Sequence, residues 1–151
     1  LCDAYLFYPV ALEDRSLARQ KRNPVKYYAA DLGLIRAMSL NPAGDNGHLL
    51  ENLVFLQLHR QGYQMTYVQS QKTGKEIDFL AFHPGSKDKK LIQVSWKMSD
   101  PSTLNREIEA FQSAAEYLNA TEKLIVTWDE EKTLENNIKV IPAWKFLLEK
   151  Y

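Results

Sequence analysis

The stretch of residues 72–97 constrains the fold more than any other part of the chain. It reads KTGKEIDFLAFHPGSKDKKLIQVSWK, which is the pattern of two apolar strands joined by a polar turn. Side chains two residues apart on a strand share a face, so Glu76 and Asp78 form one row. A second row on the next strand consists of Gln93, Ser95 and Lys97. Where the two strands pair, we expect carboxylates, an amide, a hydroxyl and an ammonium to meet in one patch of sheet.

Length and composition predict one globular domain. A chain of 151 residues, 45% of them hydrophobic, is long enough to bury a core. Its 19 basic and 19 acidic residues balance, which argues against a protein built mainly to coat nucleic acid or an anionic membrane. The chain contains no apolar run of about 18 residues, so we expect no membrane span and no membrane partner. The single cysteine, Cys2, cannot form an internal disulfide, which favours a reducing, cytoplasmic location.

Residues 1–40 are interpreted as an N-terminal connector or arm, and residues 41–151 as an α/β domain. The beginning, LCDAYLFYPV, lacks a basic region and an initiator Met, so we expect a piece of a longer protein in which the arm is either a linker or part of an upstream domain. Short strands are predicted at residues 5–8, where Pro9 ends the strand, and at residues 25–29.

Five cations fall within twelve residues of this arm: Arg15, Arg19, Lys21, Arg22 and Lys26. One interpretation is an arm that contacts nucleic-acid phosphates through its arginines, Arg15, Arg19 and Arg22. The other is a solvated connector, which the neutral total charge favours.

The middle of the chain predicts two helices followed by three strands. Asp31 is placed to cap a short helix, because its side chain can accept from free amides of the first turn. Residues 48–61 form a longer helix that is apolar nearly all round, with Glu51 in its first turn. Three strands at close spacing suggest an antiparallel meander, at residues 64–69, 76–82 and 90–96.

The last third predicts a helix, two strands and a terminal helix. Asp100 caps a helix that begins at Pro101 and has apolar residues at alternating spacings of four and three. The near-continuous apolar run at 124–128 is typical of a buried parallel strand. An exposed turn, a last strand at 138–141 and a helix beginning at Pro142 follow. The predicted fold is therefore an α/β domain with a mixed central sheet flanked by helices.

Two further patterns limit the function. No segment matches G-x-x-x-x-G-K-[ST], so this chain is not expected to bind ATP as a P-loop protein does. The three tryptophans, Trp96, Trp128 and Trp144, are interpreted as core residues rather than as a platform for stacking bases.

Two family resemblances rest on the positions of these polar residues. Glu51 on a helix, Glu76-Ile77-Asp78 on the second strand and Gln93-Val94-Ser95 on the third resemble the PD-(D/E)xK nuclease superfamily. A resemblance over nearly the whole chain is to the domain of unknown function that follows the ATPase module of prokaryotic AAA-type ATPases. Its segments are KYYAADLGL at 26–34, LENLVF at 50–55, GKEIDF at 74–79, IQVS at 92–95 and PAW at 142–144.

These resemblances imply a restriction-endonuclease-like fold with an α-β-β-β-α-β core and an upstream ATPase domain as a partner in cis, where any ATP would bind. An active site of this superfamily holds Mg²⁺ with carboxylates, here Asp78 and Glu51, and places a lysine near the metal. This chain has an amide at the third-strand acidic position, Gln93, and no charge at the lysine position, Ser95. Lys97, two residues further on, is the candidate replacement on the same strand.

Three hypotheses follow from the sequence. The first is a non-catalytic accessory domain of an ATPase, which recognises nucleic acid or a protein and whose polar patch is a closed hydrogen-bond network. The second is a Mg²⁺-dependent DNA nuclease that uses Glu51, Asp78, Gln93 and Lys97. The third is a structural or oligomerisation module of the ATPase. Mg²⁺ is a cofactor in the second hypothesis alone.

Overall fold

A computed structural model describes residues 2–14, 16–38, 46–70, 74–98 and 101–148. The N-terminal part contains a strand β1 (Phe7–Val10), a helix α1 (Leu17–Arg22), a strand β2 (Lys26–Ala29) and a helix α2 (Leu32–Met38). A longer helix and three strands follow: α3 (Asn46–Arg60), β3 (Gln64–Gln69), β4 (Glu76–Phe82) and β5 (Lys89–Ser95). The chain continues with α4 (Pro101–Leu118), β6 (Glu122–Thr127), β7 (Lys132–Leu134), β8 (Ile138–Pro142) and α5 (Ala143–Leu148).

Six strands form one mixed sheet in the order β3-β4-β5-β6-β8-β7. The pairs β3–β4 and β4–β5 are antiparallel, which confirms the predicted meander. Strands β5, β6 and β8 run parallel, as the apolar run at 124–128 predicts. Strand β7 was not predicted, because Lys132 was assigned to an exposed turn; it pairs antiparallel with β8 at the edge. A mixed α/β fold is thus confirmed.

Two apolar clusters cover the two faces of this sheet. On one face, Phe79 and Ile92 pack with α3 residues such as Phe55 and with Phe146 of α5. On the other face, Leu80 and Leu91 pack with the buried stripe of α4, which is formed by Phe111, Ala114, Ala115 and Leu118. Among the described residues, no helix has the length and apolar content needed to cross a membrane.

Strand β4 contains a bulge that changes which face its side chains point to. Thr66 pairs with Leu80 and Val68 pairs with Ile77, so a step of three residues on β4 lies opposite a step of two residues on β3. The extra residue interrupts the alternation of side chains. Ile77 and Leu80 both reach the α4 face, and Phe79 reaches the α3 face.

The N-terminal strands form a hairpin that packs on the same core. β1 and β2 are antiparallel, and Pro9 lies within β1 opposite Tyr27, so the prediction that Pro9 ends the strand is wrong. Pro9 is exposed on a two-stranded ribbon, where it interrupts no central ladder. Buried Val10 and Tyr28 join the α3 cluster. Whether residues 1–40 belong with an upstream domain stays a prediction.

Asn52 of α3 holds the free edge of the hairpin. Its amide oxygen accepts from the backbone N–H of Ala29 at 2.8 Å, and its amide nitrogen donates to the carbonyl of Ala29 at 2.9 Å. A buried side-chain amide thus replaces the ladder of a neighbouring strand. The predicted cap of α2 is also present, because Asp31 accepts from the N–H of Leu34 at 3.0 Å.

Candidate functional site

The ammonium of Lys26 lies among three carboxylates that come from distant parts of the chain. Its Nζ is 2.7 Å from Glu76 Oε1, 2.9 Å from Glu51 Oε1 and 3.4 Å from Asp78 Oδ1. We call these four residues, Lys26, Glu51, Glu76 and Asp78, the lysine–carboxylate cluster. Glu51 and Asp78 are largely buried, whereas about half of the Glu76 side chain is exposed (48%).

Local structure explains why the carboxylates converge. Glu76 and Asp78 share a face, as their spacing predicts, and the bulge of β4 directs that face towards α3. The pairs of β4 with β5 end at Phe79–Ile92, so the N–H of Val94 has no backbone partner on β4. Asp78 Oδ2 accepts from this N–H at 2.7 Å and so holds the two diverging strands together.

Glu51 is fixed by neighbours on the hairpin and on its own helix. α3 begins at Asn46, earlier than predicted, so Glu51 lies in the second turn rather than at the positive helix terminus. The hydroxyl of Tyr28 donates to Glu51 Oε1 at 2.6 Å, and its ring stacks on Phe55 with centroids 4.5 Å apart. His48 Nδ1 lies 3.6 Å from the other oxygen of Glu51, at the solvent side.

Two opposing effects set the pKa values in the cluster: burial favours the neutral form of each side chain, and neighbouring opposite charges favour the ionised form. Burial of Lys26 would lower its pKa, but hydrogen bonds to Glu76 and Glu51 and the charge of Asp78 outweigh burial and raise that pKa. Burial, together with the negative charge of Glu51, raises the pKa of Asp78 to about 7 although Lys26 and the Val94 N–H oppose the shift. Burial and Glu51 likewise raise the pKa of Tyr28. The cluster therefore holds an excess of negative charge that one ammonium partly neutralises.

The structure does not bring Gln93 and Ser95 into this cluster. Gln93 pairs with Ile125 and Val94 with Val126, and paired residues lie on the same face. Ile125 belongs to the α4 cluster and Val126 to the α3 cluster, so Gln93 and Ser95 face α4. The expectation of one shared patch is wrong, because the strand alternation and the bulge send the two rows to opposite faces.

Lys97 and Arg22 lie outside the lysine–carboxylate cluster, and the other two arginines predicted to contact phosphates are not among the described side chains. Lys97 is exposed beyond the end of β5, its carbonyl accepts from the hydroxyl of Ser95 at 2.5 Å, and its charge acts on Glu130. Arg22 is exposed at the end of α1. Arg15 and the side chain of Arg19 lie outside the described residues, so a contact of the arm with phosphates stays a prediction.

Sequence reasoning assigned Lys26 to the wrong setting. Lys26 was predicted to be one cation of a solvated or phosphate-contacting arm, whereas the structure places it at the centre of the lysine–carboxylate cluster. A signal was available, because Lys26 and Tyr28 are two apart on a short strand and so share a face. Tyr28 is buried, and a lysine on the same face of such a strand requires carboxylate partners.

The cluster is arranged to hold a cation, and the cation it holds is an ammonium. Glu51, Glu76 and Asp78 offer the oxygen ligands that Mg²⁺ prefers, but Lys26 donates into the space between them. In the part of the chain that the structure describes, no three His, Cys, Asp or Glu side chains are grouped so that they could hold a metal ion.

The raised pKa of Asp78 predicts a pH dependence of stability. An acid whose pKa is higher in the folded state takes up protons on folding, so its contribution to the free energy of unfolding falls as pH rises from about 4 to about 7. Urea unfolding at several pH values in this window measures the effect. Asp78→Asn should remove this part of the slope, and the exposed Asp129→Asn should leave the slope unchanged. Equal slopes in wild type and Asp78→Asn would contradict the assignment.

Comparison with known proteins places the chain in a family. Residues 46–146 match the domain of unknown function DUF4143. An uncharacterised protein of Methanocaldococcus jannaschii, MJ1544, is 34% identical over 159 aligned residues, which cover 97% of this chain and 34% of that protein. The chain thus spans about a third of the length of this relative. No solved structure shows significant similarity to the chain. The chain belongs to the DUF4143 family.

Proposed function

We propose that this chain is a non-catalytic accessory domain of an AAA-type ATPase, with a restriction-endonuclease-like fold whose former metal site is closed by Lys26. Its work is recognition of a protein or nucleic acid for the ATPase. The observation that carries the proposal is the position of the Lys26 ammonium, 2.7–3.4 Å from one oxygen of each of the three carboxylates.

A lysine at this position opposes metal binding in two ways. Its hydrogen bonds occupy carboxylate oxygens that Mg²⁺ would need, and Mg²⁺ demands a near-octahedral set of oxygens at about 2.1 Å. Its positive charge would also repel a divalent cation a few Å away. Metal would bind only if Lys26 moved into solvent, and its bonds to Glu51 and Glu76 oppose that movement.

The residues at the superfamily's third-strand acidic and lysine positions, and the candidate replacement Lys97, lie outside the cluster. Cleavage of a phosphodiester by this type of site needs a metal-activated water and a positive charge near the transition state. Gln93 and Ser95, at the positions of the superfamily's acid and lysine, face α4 on the opposite side of the sheet. Lys97 is exposed near Glu130.

The element order supports the restriction-endonuclease-like fold, and the family supports a place in an AAA-type ATPase. Helix α3, strands β3 to β5, helix α4 and strand β6 follow one another as α-β-β-β-α-β, with β5 and β6 parallel, which is the order that the nuclease resemblance implies. Domains of the DUF4143 family occur at the C-terminal end of AAA-type ATPases, and the relative is about three times as long as the matched region.

The proposal predicts that removing the ammonium creates a metal site. Wild-type protein should show no Mn²⁺ binding at millimolar concentration, as measured by electron paramagnetic resonance of free Mn²⁺. With the ammonium between them, the carboxylates of Glu51, Glu76 and Asp78 are not grouped as metal ligands. Lys26→Ala frees these side chains to close on a shared ion and should gain Mn²⁺ affinity by at least about tenfold. Lys26→Ala combined with Asp78→Asn is the matched control and should lose the gained affinity. Circular dichroism of each variant verifies that it is folded.

A second candidate function is a Mg²⁺-dependent nuclease. The observation that favours it is the Lys26 ammonium beside the buried carboxylates of Glu51 and Asp78, because phosphodiester cleavage combines carboxylates with a nearby positive charge. A plasmid-nicking assay with Mg²⁺ or Mn²⁺ separates the candidates. We expect no cleavage by wild type, Asp78→Asn or Lys26→Met. Cleavage by wild type that both substitutions abolish would overturn the non-catalytic proposal and assign Lys26 the role that the sequence gave to Lys97.

A further inference from the structure

The tryptophans lie at the carboxyl ends of three neighbouring parallel strands. Trp96 follows β5, Trp128 follows β6, and Trp144 lies in the first turn of α5, directly after β8. Trp96 packs partly against the α3 cluster and stacks on Trp128 with ring centroids 4.6 Å apart. Trp128 and Trp144 are 50% and 58% exposed, so the expectation that they are core residues is wrong.

Helix α5 extends this exposed apolar surface. Ala143 and Phe146 face the core, whereas Trp144 and Leu148 lie one turn apart on the outer side, where Leu148 is 78% exposed. Thr127 pairs with Pro142, so Trp128 leaves the sheet beside the first turn of α5. We call the three exposed side chains, Trp128, Trp144 and Leu148, the tryptophan edge.

The charges around the tryptophan edge balance each other. Lys132 bonds to Glu130 at 3.3 Å, and Lys145 pairs with Glu131. Glu130 also accepts from the N–H of Met98 at 2.9 Å. The other charged side chains that the structure describes along this rim are Lys97 and Asp129, both exposed. Among the described residues, the rim thus carries three cations and three anions, Lys97, Lys132 and Lys145 with Asp129, Glu130 and Glu131.

We propose that the tryptophan edge is a self-association surface, which packs against the same surface of a second copy of this chain. A two-fold interface brings each patch against itself, so a patch of one charge sign would repel its partner. A rim whose described cations and anions are equal in number, with four of the six in ion pairs, does not repel its own copy in this way. Tryptophan is also among the residues that contribute most to protein interfaces, and a polar rim around an apolar centre is their usual arrangement.

The size of the patch indicates a weak dimer. Two half-exposed tryptophans and one leucine present about 300–400 Å² of apolar surface. A stable interface buries about 800 Å² per partner, more than half of it apolar. The tryptophan edge supplies the centre of such an interface and the charged rim supplies much of the rest, so we expect dissociation in the micromolar range.

The same rim disfavours nucleic acid as the occupant. Binding to single strands combines stacked aromatic rings with a positively charged groove. Two of the three rim lysines are already paired with Glu130 and Glu131, and phosphates would have to displace those carboxylates. The nearby lysine–carboxylate cluster adds negative charge, because its three carboxylates face one ammonium.

Sedimentation-velocity centrifugation of the chain from about 5 to 500 µM tests the proposal. We expect a shift from monomer to dimer across this range in wild type. Trp144→Ala should weaken the dimer at least about tenfold, because a tryptophan near the centre of an interface is often a residue whose truncation costs about 2 kcal/mol or more, which is roughly thirtyfold in affinity, and Leu148→Ala should weaken the dimer by a smaller factor. Tyr117→Ala, which removes a half-exposed aromatic side chain from α4, is the matched control and should leave the dimer unchanged.

Two outcomes would overturn the proposal. One is a wild-type chain that remains monomeric at 500 µM, or a dimer that both Trp144→Ala and Leu148→Ala leave intact. The other is tight, salt-sensitive binding of an oligothymidylate that quenches tryptophan fluorescence and is lost in Trp128→Ala, which would assign the surface to nucleic acid. Neither result depends on metal binding at Lys26. The self-association proposal can therefore fail while the proposed function stands, and the proposed function can fail while the dimer is found.

Discussion

Replacing Lys26 with methionine is expected to lower the free energy of unfolding by about 3 kcal/mol at pH 8. The substitution removes the ammonium that lies 2.9 Å from Glu51 and 3.4 Å from Asp78, so two largely buried carboxylates face each other without it. The loss should shrink towards pH 5, because Asp78 has a raised pKa and becomes neutral on protonation. Urea unfolding followed by circular dichroism at pH 5, 6.5 and 8 measures both effects.

The control for this experiment is Lys139→Met, which removes an exposed lysine from β8. It should change stability by no more than about 0.5 kcal/mol at any of these pH values. A loss below about 1 kcal/mol for Lys26→Met at pH 8, or a loss as large at pH 5 as at pH 8, would show that Lys26 does not neutralise the buried carboxylates.

Replacing Asn52 with alanine is expected to cost about 2–4 kcal/mol. Both hydrogen bonds of its amide go to the N–H and C=O of Ala29, which are buried, so the substitution leaves two buried backbone groups without partners. These bonds also attach the hairpin to α3. Hydrogen exchange should therefore quicken at residues 7–10 and 26–29 more than in the six-stranded sheet.

Gln57→Ala provides the matched comparison on the same helix. The Gln57 amide donates to the carbonyl of Leu147 at 3.0 Å, at a half-buried position far along the chain from the hairpin. Its loss should cost about 1 kcal/mol and leave exchange in the hairpin unchanged. If Asn52→Ala affected exchange uniformly over the whole chain, the hairpin would not be a separately attached unit.

The fold was largely predictable because its signals are local. The apolar periodicity of α3, the cap at Asp31 and the start of α4 at Pro101 each depend on a few neighbouring residues. The unbroken apolar run of β6 distinguished a buried parallel strand from the alternating strands of the meander. The pattern misled where a short element has no strong period, as at β7 and around Pro9.

The candidate site was only half predictable because its contacts are not local. Glu51 and Asp78 were found from their unusual positions in apolar elements. Lys26 lies 52 residues from Asp78 in sequence, and its spacing from Tyr28, the one local signal, does not indicate which carboxylates it contacts. Gln93 was expected to share a face with Asp78, and this failed because the bulge that turns Asp78 towards α3 carries no signal in the sequence. The one extra residue in β4 decides whether the row of Glu76 and Asp78 shares a face with the row of Gln93 and Ser95.

That bulge lets two consecutive residues of β4, Asp78 and Phe79, face α3. Phe79 is the only residue between Asp78 and Leu80, and its deletion would restore regular alternation, with Asp78 and Ala81 towards α3 and Ile77 and Leu80 towards α4. The carboxylates would keep their place beside Lys26, but the core on the α3 side would lose a fully buried aromatic ring. The extra residue therefore allows one strand to supply both a carboxylate and an aromatic side chain to the same face.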